Sequence, residues 1–252
     1  MAIVWQKQTA DQLYEVRTAG NSVRLYTSGV FHSQWNPSRP LAGHIWDLLF
    51  LPAMFYVSPR QLDNAIVLGV GGGTVINLLN YFIAPKKIQG VDLDATHLSI
   101  AKRFFLDDSK NVTLHKANAC SYFTKIDNQS VDFIVEDLFC GAQNDPSEAI
   151  RAVPMDEQWL SALAQSLTSA GILVVNFEDA KQLRQAFSKK TIVASGFESV
   201  YRLTTPQYEN AIGVCLKKHC DKKVFNQNLE RFILSRPKTK RSDLKFALTR
   251  VV

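Results

Sequence analysis

The chain has 252 residues, 46% of them hydrophobic, and a formal net charge of +6. That supplies a full α/β core and excludes a disordered body. The longest apolar stretch, 45–57, contains Asp47 and Pro52 and is too short to span a bilayer. The N-terminus lacks the apolar core of a signal peptide, so the expectation is a cytoplasmic protein with no membrane partner.

Residues 1–36 alternate in short β-like runs, Ile3–Trp5, Leu13–Arg17 and Val23–Tyr26, with a turn at Ala19–Asn21. They predict a small antiparallel β appendage. Asn36-Pro37-Ser38-Arg39-Pro40 reads as a linker, and 41–55 as a mostly buried helix. Strands and helices then alternate: strand 65–69, helix 74–83, strand 87–92, helix 95–106, strand 111–115 and a short helix 119–124. Strand 131–137, helix 155–168, strand 171–176 and helix 180–190 follow. Such alternation implies parallel strands joined by right-handed crossovers. Two last runs, 197–203 and 211–216, predict a hairpin that leaves the final strand antiparallel. The expected units are an appendage (1–36), a nucleoside-binding catalytic domain (37–218) and a basic extension (219–252).

The apolar run Ala65–Leu68 breaks into Gly69-Val70-Gly71-Gly72-Gly73, and Val75, Leu78, Leu79 and Phe82 then recur at helical spacing. Glycine lets the backbone turn sharply and approach a ligand closely. About 20 residues further on, Asp92 ends the next strand, where a carboxylate can take the hydroxyls of a ribose. This predicts a nucleoside site on a Rossmann-like sheet. A dinucleotide fingerprint would need glycine at Thr74, which disfavours a nicotinamide cofactor.

The four cysteines, Cys120, Cys140, Cys215 and Cys220, form no C-x-x-C pair. Cys215, His219 and Cys220 make a poor zinc set, so free, mostly buried thiols and no metal are expected. Charge is unevenly placed: residues 216–252 carry eleven Lys or Arg against three acids, and the rest 18 against 20. A docked, solvated basic extension accounts for this, with contact to nucleic acid or an acidic partner as the alternative.

From Gln8 to about Leu216 the ordered features resemble the spermidine synthase family, a branch of the S-adenosylmethionine-dependent methyltransferase fold. Gln8-Thr9-Ala10-Asp11-Gln12 resembles the family's Q-[ST]-x-x-Q, and Gly29–Ser33 the end of its β appendage. Gly69–Gly73 stands at its glycine loop, Val91-Asp92-Leu93-Asp94 at V-E-I-D, Asn118-Ala119 at D-A, and Ile134–Asp137 at the strand ending in the catalytic Asp. The resemblance implies a Rossmann-like methyltransferase fold: a mostly parallel seven-stranded sheet with a terminal antiparallel hairpin, preceded by the small antiparallel appendage. It implies Asp137 as the catalytic carboxylate, Asp92 as ribose ligand, and Gly69, Gly71, Gly73, Gln12 and Asn118 as further nucleoside contacts. It also implies S-adenosylmethionine or its decarboxylated form as co-substrate, and a homodimer.

The chain departs from the family on the polyamine side. Gly72 replaces an Asp of the glycine loop, Cys140 replaces the second carboxylate of D-[ST]-[ST]-D, and Gly43–Asp47 matches the Y-[HQ]-E helix start only loosely. The sequence reading is therefore a spermidine synthase-like transferase with an unidentified small-molecule acceptor, methyl transfer being favoured over aminopropyl transfer. A non-catalytic nucleoside- or partner-binding descendant and an NAD-dependent oxidoreductase are the other readings. Glu136 is expected on the opposite strand face in a structural role. His32 and His44 are candidate acceptor-side groups, and Trp46, Phe50 and Phe55 are expected in the core.

Overall fold

In a computed structural model, residues 1–251 are described apart from 57, 60, 61, 108, 143–148 and 238. The chain opens with β1 (Ala2–Gln8), β2 (Leu13–Ala19), β3 (Ser22–Thr27) and β4 (Val30–Trp35), paired antiparallel in sequence order. The appendage thus has one strand more than the alternation predicts, because β4 is partly buried along its whole length and shows no two-residue rhythm. The expected helix at 41–55 becomes α1 (Ile45–Phe50) followed by a 3-10 turn, Leu51–Phe55, and all eleven residues of the two are buried.

β5 (Asn64–Leu68), α2 (Thr74–Phe82), β6 (Lys87–Asp92), α3 (Ala95–Ile100), β7 (Val112–Lys116), α4 (Ala119–Phe123) and β8 (Val131–Glu136) follow in the expected alternation. α3 continues as a wider π-type segment, Ala101–Phe105. A short hairpin, β9 (Phe139–Gly141) and β10 (Ala149–Arg151), leads to α5 (Glu157–Ser166). β11 (Leu167–Phe177) starts four residues before the expected strand at 171. The expected turn at 169–171 is an irregularity within it, where register shifts between Leu167 and Ile172. α6 (Ala180–Ala186) and α7 (Lys189–Ala194) replace one expected helix, and β12 (Ser199–Thr205) and β13 (Tyr208–Leu216) form the terminal hairpin. α8 (Lys222–Asn228) and β14 (Ala247–Arg250) complete the chain.

The main sheet has eight strands rather than seven, in the order β14-β12-β13-β11-β8-β5-β6-β7. β7, β6, β5, β8 and β11 are parallel, while β13 pairs antiparallel with both β11 and β12. The extra strand, β14, comes from the basic extension and places Leu248 opposite Leu203. The central strands read as continuous apolar runs because both faces are covered. Successive side chains divide between the faces: Ala65 and Val67 pack with α1, α2 and α8, and Ile66 and Leu68 with α4, α5 and α6. A third cluster joins Tyr14, Val16 and Leu25 of the appendage to Ile100 and Phe105.

The described residues of the basic extension are built into this body. The Phe225 ring lies 4.8 Å from that of Phe55 and 5.9 Å from that of Phe246, and the Asn228 amide donates to the Met54 carbonyl at 3.0 Å. Several of the extension's cations lie over rings, including Arg231 on Phe232, Arg236 on Tyr81 and Arg241 on Phe246. Phe225→Ala should therefore cost about 3–5 kcal/mol in denaturant unfolding; an unchanged midpoint would mean that the extension is not part of the cooperative fold.

Candidate active site

The carboxyl ends of β5, β6, β8 and β11 meet at one edge of the sheet, beside the point where the strand order reverses between β5 and β8. Open α/β sheets bind ligands there. A cavity of about 1110 Å³ occupies this edge and is roofed by the appendage. Its lining includes Gln12, Gly69, Gly71, Asp92, Asn118 and Asp137, so six of the seven expected site residues converge, and Gly73 does not reach it.

The glycine loop is held from three sides. Val70 and Gly71 donate their N–H groups to Asp92 Oδ2 at 2.9 and 3.0 Å, and Gly72 donates to Ser33 Oγ at 2.7 Å. The Gly69 and Gly73 N–H groups go to the carbonyls of Val91 and Val70, at 2.9 and 2.7 Å. The remaining backbone donors on this side belong to the first turn of α2, where Thr74 and Val75 line the cavity. Asp92 Oδ1 accepts from the Asp94 N–H at 2.9 Å. With three of roughly four acceptor positions in use, Asp92 braces the loop and keeps little capacity for two ribose hydroxyls.

Two glycines are demanded by this packing. Gly69 has φ +85°, and a Cβ there would come within 2.0 Å of the Asp137 carbonyl oxygen. At Gly72 a Cβ would lie 2.7 Å from Ser33 Cβ and 2.9 Å from the Phe105 ring, so the family's Asp has no room.

Asn118 caps α4, its Oδ1 accepting from the Ser121 N–H at 3.2 Å, while it also lines the cavity. The Tyr14 hydroxyl lies between the amide oxygen of Gln12 and Asp94 Oδ2, 2.7 Å from the latter. Burial pushes the Asp94 carboxyl up, but the Tyr14 bond, His97 and the N–H groups of Thr96 and His97 outweigh it and leave it below its ordinary value. His32 lines the cavity 5.0 Å from His97, and burial followed by that neighbour pushes it down to about 3, so it stays neutral. His44 stands behind the wall, its Nδ1 2.6 Å from the Tyr208 hydroxyl. Trp46 is core and cavity wall at once, whereas Phe50 and Phe55 are core.

Asp137 follows β8 and faces the cavity. Its N–H donates to the Leu68 carbonyl at 2.8 Å, and its Oδ1 accepts from the Asn176 amide at 2.8 Å. Asn176 in turn accepts from the Asn210 amide at 3.1 Å. Burial pushes the Asp137 carboxyl up to about 6, against the pull of the Asn176 bond, with Glu136 adding to the rise. Glu136 lies on the other face, fully buried and paired with Arg151 at 2.7 Å. The expectation of mostly buried thiols holds for Cys215 and partly for Cys220; Cys120 and Cys140 are exposed, Cys140 on the cavity rim.

Sequence reasoning missed Asn176, Asn210, Glu178, Asp179 and Glu209, all in the lining. Their common signal is position at the end of β11 or the start of β13, legible only once β11 is known to flank β8 and β13 to flank β11.

No family model matches the chain. A polyamine aminopropyltransferase of Vibrio vulnificus is 28% identical over 148 residues, 58% of this chain and 47% of that protein. The match thus spans about half the length of that curated relative. A probable spermidine synthase from Corynebacterium glutamicum superimposes with a TM-score of 0.76 at 16% identity, covering 99% of this chain and 91% of that one. For spermidine synthase from Thermotoga maritima the values are 0.69, 15%, 96% and 82%. Human methyltransferase-like protein 13 gives 0.62, 19%, 77% and 94%. The fold is that of the class I methyltransferases. Within it, the antiparallel N-terminal sheet makes the fold similar to that of the spermidine synthases.

If Gly72 is fixed by packing, Gly72→Asp should lower the thermal midpoint by several degrees without tightening nucleoside binding, read by calorimetry and titration. A stable Gly72→Asp variant that gains affinity for decarboxylated S-adenosylmethionine would contradict this account of the loop.

Proposed function

We propose that the chain is a transferase that takes decarboxylated S-adenosylmethionine and passes its aminopropyl group to an amine held at Asp137. The observation that carries this is the charge of the cavity. Among the described lining residues are seven carboxylates, Asp11, Asp92, Asp94, Asp137, Glu178, Asp179 and Glu209, and no Lys or Arg. The decarboxylated nucleoside carries a sulfonium and an ammonium and suits such a wall. The carboxylate of S-adenosylmethionine would find only the first turn of α2, and a poorly partnered buried charge costs several kcal/mol. Glu178, Asp179 and Glu209 also put acid in the lining that Cys140 shares, where the sequence has lost the family's second carboxylate.

The co-substrate supplies a carbon activated by the sulfonium; attack by the amine forms the C–N bond, breaks the C–S bond and releases a neutral thioether nucleoside. This chain's residues align the two and manage the proton. Asp137, held by Asn176, takes the proton the nitrogen must shed, and its raised affinity for protons brings it closer to an amine than an ordinary carboxylate. The Gln12–Tyr14–Asp94 chain and Asn118 border the nucleoside end. Methyl transfer from intact S-adenosylmethionine is the competing reading.

Parallel calorimetric titrations should give at least tenfold tighter binding of the decarboxylated form, a difference of about 1.4 kcal/mol. Preference for intact S-adenosylmethionine would transfer the assignment to methyl transfer, and binding of neither would leave a non-catalytic descendant.

With an amine that turns over, the rate should fall as pH drops through about 6, where Asp137 takes up its proton. Asp137→Asn should lower kcat by about 10²–10⁴-fold with binding preserved. An unaltered rate in that variant removes Asp137 from the chemistry.

A further inference from the structure

Glu136 and Arg151 form an ion pair that the transfer reaction does not itself call for. Glu136 is fully buried one residue before Asp137, and the Arg151 side chain is 8% exposed. The guanidinium donates to both Glu136 oxygens, at 2.7 and 3.0 Å, to the Val153 carbonyl at 3.0 Å and to the Asn176 carbonyl. Trp159 Nε1 adds a bond to Glu136 at 3.2 Å, and the Arg151 N–H donates to Glu178 at 2.9 Å. Two elements that wall the cavity, β10 and the end of β11, are therefore tied to β8 through one side chain. The residue whose main chain Arg151 grips, Asn176, is the one whose amide grips Asp137 at 2.8 Å.

We propose that Glu136 and Arg151 are positioning residues for Asp137: Arg151 fixes the main chain of Asn176, and Asn176 fixes the Asp137 carboxylate toward the cavity. Neither touches the reacting atoms. The inference rests on the reading of Asp137 as the reacting carboxylate. A buried pair is a poor source of stability, since well-packed apolar residues often do as well, so its use here lies in geometry. Arginine suits the task because its planar fork serves several acceptors at once, whereas lysine is a point charge. The pair also bypasses the glycine loop: it braces Asp137 from the opposite face of the sheet.

The test uses the full chain and follows the side-chain carboxyl of Asp137 by ¹³C NMR titration in the wild type and in Arg151→Lys, Asn176→Leu and the double variant. Arg151→Lys keeps the charge beside Asp137 and Glu136 but lacks the planar fork that serves Glu136, Val153 and Asn176 at once, so its grip on Asn176 is loosened. Because the Asn176 bond favours the ionised carboxylate, loosening it should raise the Asp137 midpoint by about half a pH unit or more. Asn176→Leu should raise it at least as far, and the double variant no further, since both changes act along one path. An unmoved midpoint in Arg151→Lys, or two shifts that add, overturns the inference. Should Arg151→Lys fail to fold, Glu136→Gln/Arg151→Met leaves no buried charge; because Glu136 adds to the rise at Asp137, only the coupling is read there. Asn176→Leu should raise the midpoint in the wild type but not in this background, and a full rise in both overturns the inference. A normal rate in Asp137→Asn would instead sink the catalytic reading while leaving these titrations interpretable.

Discussion

The site depends on how the glycine loop after β5 spends its hydrogen bonds. Asp92 reaches back from the end of β6 to take the N–H groups of Val70 and Gly71, and Ser33 comes down from β4 to take that of Gly72. One loop thereby joins the first two parallel strands to the N-terminal sheet. A loop whose donors are used internally leaves an anion only the first turn of α2, in contrast to the loops that cradle pyrophosphate in dinucleotide folds. It remains a tight, shaped floor against which a nucleoside without phosphate can lie. The same tightness explains the absence of an acid at Gly72, where Ser33 and Phe105 occupy the space.

Around that floor the charges are segregated. The protein as a whole carries +6, yet the described lining of its cavity has carboxylates and no Lys or Arg. Of the cations of the C-terminal extension, Arg231, Arg236 and Arg241 lie over aromatic rings outside the cavity lining. In the cavity the carboxylates differ in what holds them. Asp92 is fixed by backbone donors and Asp94 by Tyr14 and a helix start, whereas Asp137 has one side-chain donor and is pushed upward by burial. Divergent environments for neighbouring acids mark which of them is free to exchange a proton.

The parts of this architecture legible in the sequence are those set by local pattern. The apolar run of β5, the glycine break after it, the acids ending β6 and β8, and the terminal hairpin are all visible within a few residues of chain. Asn118 shows the limit of that legibility: its capping bond to Ser121 is as local as its place in the motif, and only the structure shows that the capping residue also lines the cavity. The contacts that finish the site are long-range. Asn176 lies 39 residues from Asp137 and meets it because β11 pairs with β8, with Glu136 opposite Val175. β14 joins the sheet from a segment whose composition advertises only charge, and Asp92 turns inward because the loop's own donors are its nearest partners.

The most direct measurement is a pair of calorimetric titrations, one with 5′-methylthioadenosine and one with adenosine 5′-diphosphate. A floor whose loop donors are already paired, beneath a wall of carboxylates, should bind the phosphate-free nucleoside and show no measurable affinity for the diphosphate. Equal or tighter binding of the diphosphate would contradict the account of the glycine loop on which the reading of this cavity rests.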